Sequence, residues 1–370
     1  MSKNIEAIPF TEAVERVIQI ARIESVNDES RARGAVNDIA VRKIPSEEDW
    51  NFFLASSALT CDAEYKVGTL SVNTQDTVVT FSSDVTITAA MTGRKLKAND
   101  NGDIYTFTRA NNTGGTINPP LSGDRNITSG AYTIFQPIYA LAPNFDRFPK
   151  NGGLMLFQGG KPTVLPEKSI QGYFDEYTPF PGTPGFCRLV EAGTDGAQRV
   201  EVVSPPQKAI NLPYEYLFRP PMMRETTAGV ANISAAGTTV TGSAGASRFT
   251  EATTGWYFRI DAFGTGADSE WFRIISIAHD SSMTLQSAFG LSGAVSAGYT
   301  LCPAPMMPAK MHMAVLHGAI SAVISDQDDP LFKLHEEKYR EIINDGKRTY
   351  KTRIYQQDVP LIAEDWNYRR

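Results

Sequence analysis

The sequence predicts an α+β fold in which terminal helices form a helical bundle, with a central β region and two similar small β-barrel or β-sandwich modules. Two stretches of the chain, 68–132 and 229–299, repeat one strand pattern. Residues at helical spacing form apolar stripes near both ends of the chain. Strand and helix patterns are segregated and do not alternate, which disfavours a parallel α/β sheet.

Two helices are predicted at the beginning of the chain. Thr11 is the expected N-cap of the first helix, whose apolar stripe starts at Val14. The second helix begins near the acidic residues 28–29 and should end at Pro45, because proline lacks the amide hydrogen that a helix interior needs. Trp50 then opens a predicted strand.

The repeat defines two β modules, 58–137 and 225–303. Their segments are short and rich in Thr, Val, Ile and Tyr, which favours strands. Turn sequences such as Asn111–Gly115 join neighbouring strands. The proposed pairs of segments are 77–82 with 238–243, 92–96 with 254–258, 104–107 with 271–274, 121–123 with 291–293, and 129–133 with 297–300.

Removing these modules leaves a core made of residues 1–57, 138–224 and 304–370. Its middle part is rich in proline and aromatic residues and is expected to be β-structured. Two helices should follow, one with an apolar face near Met313–Ile324 and one from Pro330 to about Lys347. The last twenty residues lose periodicity and mix aromatic with basic side chains.

Composition limits the function classes. The formal net charge of −6 argues against a surface that coats DNA, which would need a basic excess. The three cysteines are far apart in the sequence, so we expect buried thiols in a reducing cytoplasm rather than disulfides or zinc ligands. The sequence shows no secretory signal and no apolar run long enough to span a membrane.

The sequence lacks the common catalytic motifs, so we expect no enzyme activity, no cofactor and no metal site. A P-loop, a dinucleotide fingerprint, a nucleophile elbow and a zincin motif are all missing. His312 and His317 are five residues apart on a helix, so their side chains lie on different faces and cannot bind the same metal ion. We expect both to be partly exposed histidines without a ligand role. Asn99–Asp103 is interpreted as a hairpin turn, and Asp326–Asp329 as the cap of the last helix. The aromatic pairs at 256–258 and 271–272 are expected to face a module core.

The order of motifs outside the modules resembles the phage head–tail adaptor (head-to-tail connector) family. The motifs are a helical pair before the Trp50 strand, the segment Leu141–Phe148, and a Gly-x-Pro strand at 182–189. A strand ending in a proline pair (200–206), a Tyr-rich strand (212–221) and a helical pair from His317 to Tyr339 complete the order. The two modules and the sequence Leu141-Ala-Pro depart from the family pattern.

The resemblance implies a structural virion protein at the head–tail interface: a homo-oligomeric ring, usually a dodecamer, that joins the portal protein to the tail tube or nozzle. DNA would pass through its lumen without specific binding, and the acidic net charge predicts Asp and Glu along the channel. Interface anchors are expected in the C-terminal tail: Tyr355, Trp366, Tyr368, Arg369 and Arg370. Alternatives are a tail tube or nozzle subunit and, from another class, a carbohydrate-binding protein.

Overall fold

The structure is a computed structural model. It describes residues 7–22, 26–98, 103–150, 152–158, 161–167, 181–194, 196–243, 245–261, 268–324 and 326–351. The chain divides into two compact units. The continuous unit is one segment, Leu54–Phe218, and the discontinuous unit combines Met1–Phe53 with Arg219–Arg370.

The predicted fold class was wrong. Strand residues outnumber helical residues, 37% to 24%, and the terminal helices do not form the helical bundle that was expected. The protein is mainly β. The helical stripes at the ends are conspicuous in the sequence, whereas the many short strands between them have weaker patterns and are easily underestimated.

The continuous unit contains fifteen strands in its described residues. They are β1 Leu54–Cys61, β2 Leu70–Val72, β3 Val78–Phe81, β4 Lys95–Ala98, β5 Ile104–Asn111, β6 Gly114–Asn118, β7 Ile127–Gly130, β8 Tyr132–Phe135, β9 Ile138–Ala140, β10 Phe145–Arg147, β11 Gly153–Gln158, β12 Lys161–Pro166, β13 Phe186–Val190, β14 Arg199–Val203 and β15 Ile210–Phe218. Strands β2 to β8 form one antiparallel sheet, the first sheet, in the order β7-β2-β3-β6-β5-β4-β8. The turn predicted at Asn111–Gly115 is confirmed, since β5 ends at Asn111 and β6 begins at Gly114.

Two smaller sheets complete the continuous unit. One follows the order β1-β15-β11-β12, with β10 also paired to β15, and the other has the order β13-β14-β9. Strand β1 pairs with β15 along its whole length. Aromatic rings from Phe145, Phe148, Tyr214 and Tyr216 pack together beside β15. The segments 141–148 and 212–221, which were singled out in the sequence analysis, therefore share one hydrophobic core.

The discontinuous unit contains a second seven-stranded antiparallel sheet, the second sheet. Its strands are β16 Ala231–Ile233, β17 Thr239–Gly242, β18 Tyr257–Ile260, β19 Phe272–His279, β20 Ser282–Leu285, β21 Ala294–Ala297 and β22 Tyr299–Cys302. The order is β21-β16-β17-β20-β19-β18-β22, which is the order of the first sheet strand for strand. Both sheets have a shift in strand register at the same place, where β2 pairs with β7 in the first sheet and β16 pairs with β21 in the second.

Hydrogen bonds outside the strands repeat as well. The hydroxyl of Tyr132 donates to the carbonyl oxygen of Val67, and that of Tyr299 donates to Ala228. The amide of Gln75 donates to Leu121, and that of its counterpart Ala236 donates to Phe289.

The last bond corrects one proposed sequence pair. Leu121 was matched with Leu291, but its structural counterpart is Phe289. Leu121 and Phe289 are buried, whereas Leu291 is exposed.

The helices of the discontinuous unit are α1 Phe10–Ile20, α2 Val26–Asp38, α3 Ile44–Glu47, α4 Ala309–Val323 and α5 Pro330–Tyr350. A π-helical segment, Ile39–Lys43, joins α2 to α3. Helix α4 packs against α1, α2 and α5.

Three details of the predicted helical regions were wrong. Pro9 is the N-cap of α1, and Thr11 lies inside the helix, where its hydroxyl bonds Glu225 at 2.9 Å. Pro45 lies in the first turn of α3, where a missing amide hydrogen is harmless. Trp50 precedes a short 3-10 turn, and the strand begins only at Leu54.

An ion-pair network fastens the second sheet to α1. The guanidinium of Arg259 lies 2.9 Å from Glu15 of α1, 3.0 Å from Asp268 and 3.4 Å from Asp261. It also stacks over the Trp271 ring at 4.6 Å. The Arg259 side chain is only 9% exposed. A buried arginine needs such partners, because removing a charge from water is costly.

Candidate interaction groove

A large groove lies in the discontinuous unit beside the β18–β22 edge of the second sheet. Its volume is about 840 Å³. Three stretches of chain that are distant in sequence form most of its wall: Pro220–Arg224, Thr253–Tyr257 and Pro303–Met307. Proline and methionine dominate two of these stretches. We call this site the Pro–Met groove.

The Pro–Met groove exposes apolar surface. Met222 is 59% exposed and Met306 is 51% exposed, values that are high for methionine. Trp256 and Tyr257 are partly buried and line the same groove. Methionine adapts its shape and is overused at surfaces that accept partners. The groove therefore has the lining expected of a protein-binding surface.

The charged groups that line the groove are all cationic among the described residues. Arg224 and Arg273 line it, both are exposed, and no acidic residue is among the lining residues. The chain as a whole has a net charge of −6, so this local excess of positive charge is opposite to the average. An acidic ligand would be attracted to the groove.

His312 holds the wall of the groove in place. The backbone amide of Ile8 donates to His312 Nδ1 at 2.9 Å, so Nδ1 carries no proton. Nε2 therefore carries it and donates toward the carbonyl oxygens of Pro305, at 3.1 Å, and Met307, at 3.0 Å. Burial lowers the pKa of His312, which keeps the ring neutral and preserves this arrangement.

A second histidine site lies between α4 and α5. His317 Nδ1 and His335 Nδ1 are 2.7 Å apart and both rings are buried. One ring must donate and the other accept, since two protonated nitrogens would repel each other. Burial, with a contribution from His335 and Lys338, lowers the pKa of His317 to about 4. Burial lowers the pKa of His335 as well.

The expected exposure of the helix histidines was wrong. His312 and His317 are both buried, and each forms a defined hydrogen bond. The helical spacing alone did not reveal that α4 is covered by other helices of its unit. The all-round apolar character of residues 313–323 was the available signal, because a helix that is apolar on every side is usually buried.

Other sequence-based predictions have clear outcomes. The three cysteines are buried and free, as expected. Asp329 caps α5, its carboxylate accepting the Leu331 amide at 2.8 Å. Phe258 and Phe272 face the core of the second sheet, and Trp256 packs against the same core while also lining the groove. The proposed tail anchors at 355 and 366–370 lie outside the described residues, as does most of the Asn99–Asp103 turn.

Clusters of possible metal ligands are missing from the described part of the chain. No group of three or more His, Cys, Asp or Glu side chains there could hold a metal ion. No helix in the same residues is both long and apolar enough to cross a membrane.

The first sheet has a small cavity at the equivalent place. It measures about 300 Å³ and is lined by Thr92–Lys95, Gln136–Ile138 and Arg199. These positions correspond to Thr254–Tyr257 and Pro303–Pro305 of the Pro–Met groove, because the flanking strands pair in the same register. One turn of the repeated sheet thus lines a cavity in both copies.

Comparisons with known proteins give no assignment. No protein-family model matches the chain, and no curated protein matches it. Function must therefore be inferred from the residues and geometry described above.

Proposed function

We propose that the chain is a structural subunit of a phage head–tail adaptor ring, which joins a portal protein to the tail and surrounds the DNA path. The observation that carries this proposal is the Pro–Met groove. It is a large groove whose lining includes the exposed side chains of Met222 and Met306 together with two arginines, and exposed apolar side chains grouped in this way mark sites of protein association.

The position of the groove supports the same conclusion. Two of its walls, Pro220–Arg224 and Pro303–Met307, come from the ends of segments whose order resembles the adaptor family. The third wall, Thr253–Tyr257, comes from the second sheet. A repeated sheet inserted in such a core would help to form an interface and would not only add bulk.

A ring requires heterologous contacts, in which two different patches of one subunit fit each other. The Pro–Met groove supplies one patch. The aromatic and basic tail residues proposed from the sequence, Tyr355 to Arg370, would supply anchors for the other patch or for the portal.

Electron microscopy of the purified chain, alone and mixed with the portal protein of the same phage, tests the proposal. We expect closed rings that cap one end of the portal and enclose a channel wide enough for duplex DNA. A chain that stays monomeric in both samples, or that stacks into long tubes without the portal, would refute the adaptor role. Tubes would favour the tail-tube alternative.

A further inference from the structure

We infer that the Pro–Met groove binds the acidic, apolar segment Asp358–Trp366 of a second copy of this chain. This inference deepens the proposed ring and rests on it, since it names the contact that would link neighbouring subunits. The occupant follows from the chemistry of the groove and from the sequence beyond the described residues.

The groove requires a ligand of a particular kind. Its lining combines the exposed methionines Met222 and Met306 and the partly buried Trp256 with two exposed arginines, Arg224 and Arg273. No ion pair joins either arginine to another described residue. A ligand with apolar side chains and nearby carboxylates would cover the methionines and pair with both guanidiniums.

The sequence 358–366 has this composition. It reads Asp-Val-Pro-Leu-Ile-Ala-Glu-Asp-Trp, with three acidic residues and no basic one. It contains Pro360, and proline-containing segments are a ligand type that grooves lined by aromatic side chains recognise. Trp366 is of the residue type most often found as an interface anchor.

The position of the last described residues and the length of the chain after them limit where the proposed segment can bind. The last described residue, Lys351, pairs with Trp50, and Tyr350 packs on Phe52 at 5.8 Å between ring centroids. These contacts fix the position of the last described residues. The six residues 352–357 span at most about 20 Å when extended, before the proposed segment begins. Groove and segment are different patches, as head-to-tail contact requires.

Disulfide capture between full-length chains tests the contact. One chain carries Met306→Cys and the other Ala363→Cys, and the mixture is oxidised with diamide. The native cysteines are buried and do not compete. The matched control replaces Met306→Cys with Val295→Cys, an 81% exposed site on β21, at the opposite edge of the second sheet.

We expect mixed dimers at least tenfold more abundant with Met306→Cys than with Val295→Cys. Adding Arg224→Glu and Arg273→Glu to the Met306→Cys chain should reduce them about tenfold. Adding Glu364→Arg and Asp365→Arg to the Ala363→Cys chain should then restore them. Restoration excludes misfolding as the cause of the loss.

Three results would overturn the inference. Equal yields of mixed dimer with Met306→Cys and with Val295→Cys would show that the disulfides form by random collision. A single chain with both Met306→Cys and Ala363→Cys that closes only an internal disulfide would show that the tail binds its own subunit. Rings seen by electron microscopy without mixed disulfide dimers would refute the groove contact but not the adaptor role. If neither rings nor mixed dimers form, both the groove contact and the adaptor role are refuted.

Discussion

The first and second sheets share one framework but differ at one turn. Both have the same strand order, the same irregularity and the same tyrosine hydrogen bond. The turn at Gly93 in the first sheet is followed by Arg94 and Lys95, and the equivalent Gly255 is followed by Trp256 and Tyr257. The first turn lines a small cavity with cationic walls, and the second lines the large Pro–Met groove.

The contrast shows where the two copies diverged. Buried residues and backbone hydrogen bonds keep the fold, so they were retained. The exposed turn is free to vary, and in the second sheet it carries two aromatic residues, a residue type that is enriched at protein contacts. Four experiments, in order of decreasing effect, should test how far the two sheets are equivalent.

Arg259→Met should be the most destabilising of these changes. It leaves Glu15, Asp261 and Asp268 without their shared cation. Breaking a buried pair costs about 3–5 kcal/mol, and the partial exposure of these carboxylates reduces this to about 2–3 kcal/mol. Denaturant unfolding measures the loss.

The matched change in the first sheet is Lys97→Met, at the equivalent position of β4. Lys97 is only half-buried, so we expect a loss below about 1 kcal/mol. Equal losses would mean that the Arg259 network is not a special feature of the second sheet.

Gly68→Ala and Gly229→Ala should each destabilise by about 2 kcal/mol, because these equivalent glycines have φ of +74° and +87°. An added Cβ would lie 2.5 Å from Val85 Cγ2 in the first case and 2.8 Å from the Ala246 backbone in the second. Gly123→Ala is the control for the steric clash: its φ is also positive, but nothing lies within 4 Å of the added Cβ, so it should show the backbone strain alone and a smaller loss. A neutral result at one of the two sites would break the equivalence of the sheets.

Acid should weaken the discontinuous unit before the continuous unit, since the histidines with a lowered pKa, His312, His317 and His335, belong to the former. The lowered pKa values mean that the folded state binds fewer protons than the unfolded state. Stability is therefore full above about pH 6.5 and falls as pH drops toward about 4, the pKa of His317.

Hydrogen exchange at pH 7 and pH 5, corrected for intrinsic rates, measures this effect. Amides of α4 and α5 should exchange about tenfold faster at pH 5, and amides of β2 to β8 should not change. His279→Gln, at an exposed site, should leave the pattern intact, and His317→Gln should reduce the pH dependence. Uniform acceleration of amide exchange across both units would contradict the assignment of the acid effect to the histidines of the discontinuous unit.

Tyr132→Phe and Tyr299→Phe should have the smallest effects. Each removes a hydrogen bond to a backbone carbonyl, Val67 or Ala228, which contributes about 1 kcal/mol. Tyr299→Phe also removes a long bond of 3.4 Å from the Arg248 amide, which adds little at that distance. We expect the two losses to agree within about 0.5 kcal/mol by denaturant unfolding. A large difference would show that the shared tyrosine bond plays different roles in the two sheets.

The sequence predicted local features better than tertiary ones. The two-copy pattern, the turn at Asn111–Gly115 and the Asp329 cap follow from residue spacing and turn chemistry, which act over a few residues. The fold class and the Trp50 strand were wrong, because packing between distant segments overrides local preference.

The groove was missed for the same reason. Its walls at 220–224, 253–257 and 303–307 meet only in the folded unit. One signal was available in the sequence: Pro220-Pro-Met-Met and Pro303-Ala-Pro-Met-Met are similar, and both line the groove. Two such proline–methionine segments at the borders of one β module indicate a shared surface.

A cryo-electron-microscopy reconstruction of the full-length chain assembled with its portal would show whether the Pro–Met groove links subunits. We predict a ring in which the groove of each subunit is filled by chain from its neighbour, with Arg224 and Arg273 facing carboxylates. The small cavity at Thr92–Lys95 should not receive the same segment. A ring whose Pro–Met grooves are open to solvent while subunits touch elsewhere would contradict this role of the groove.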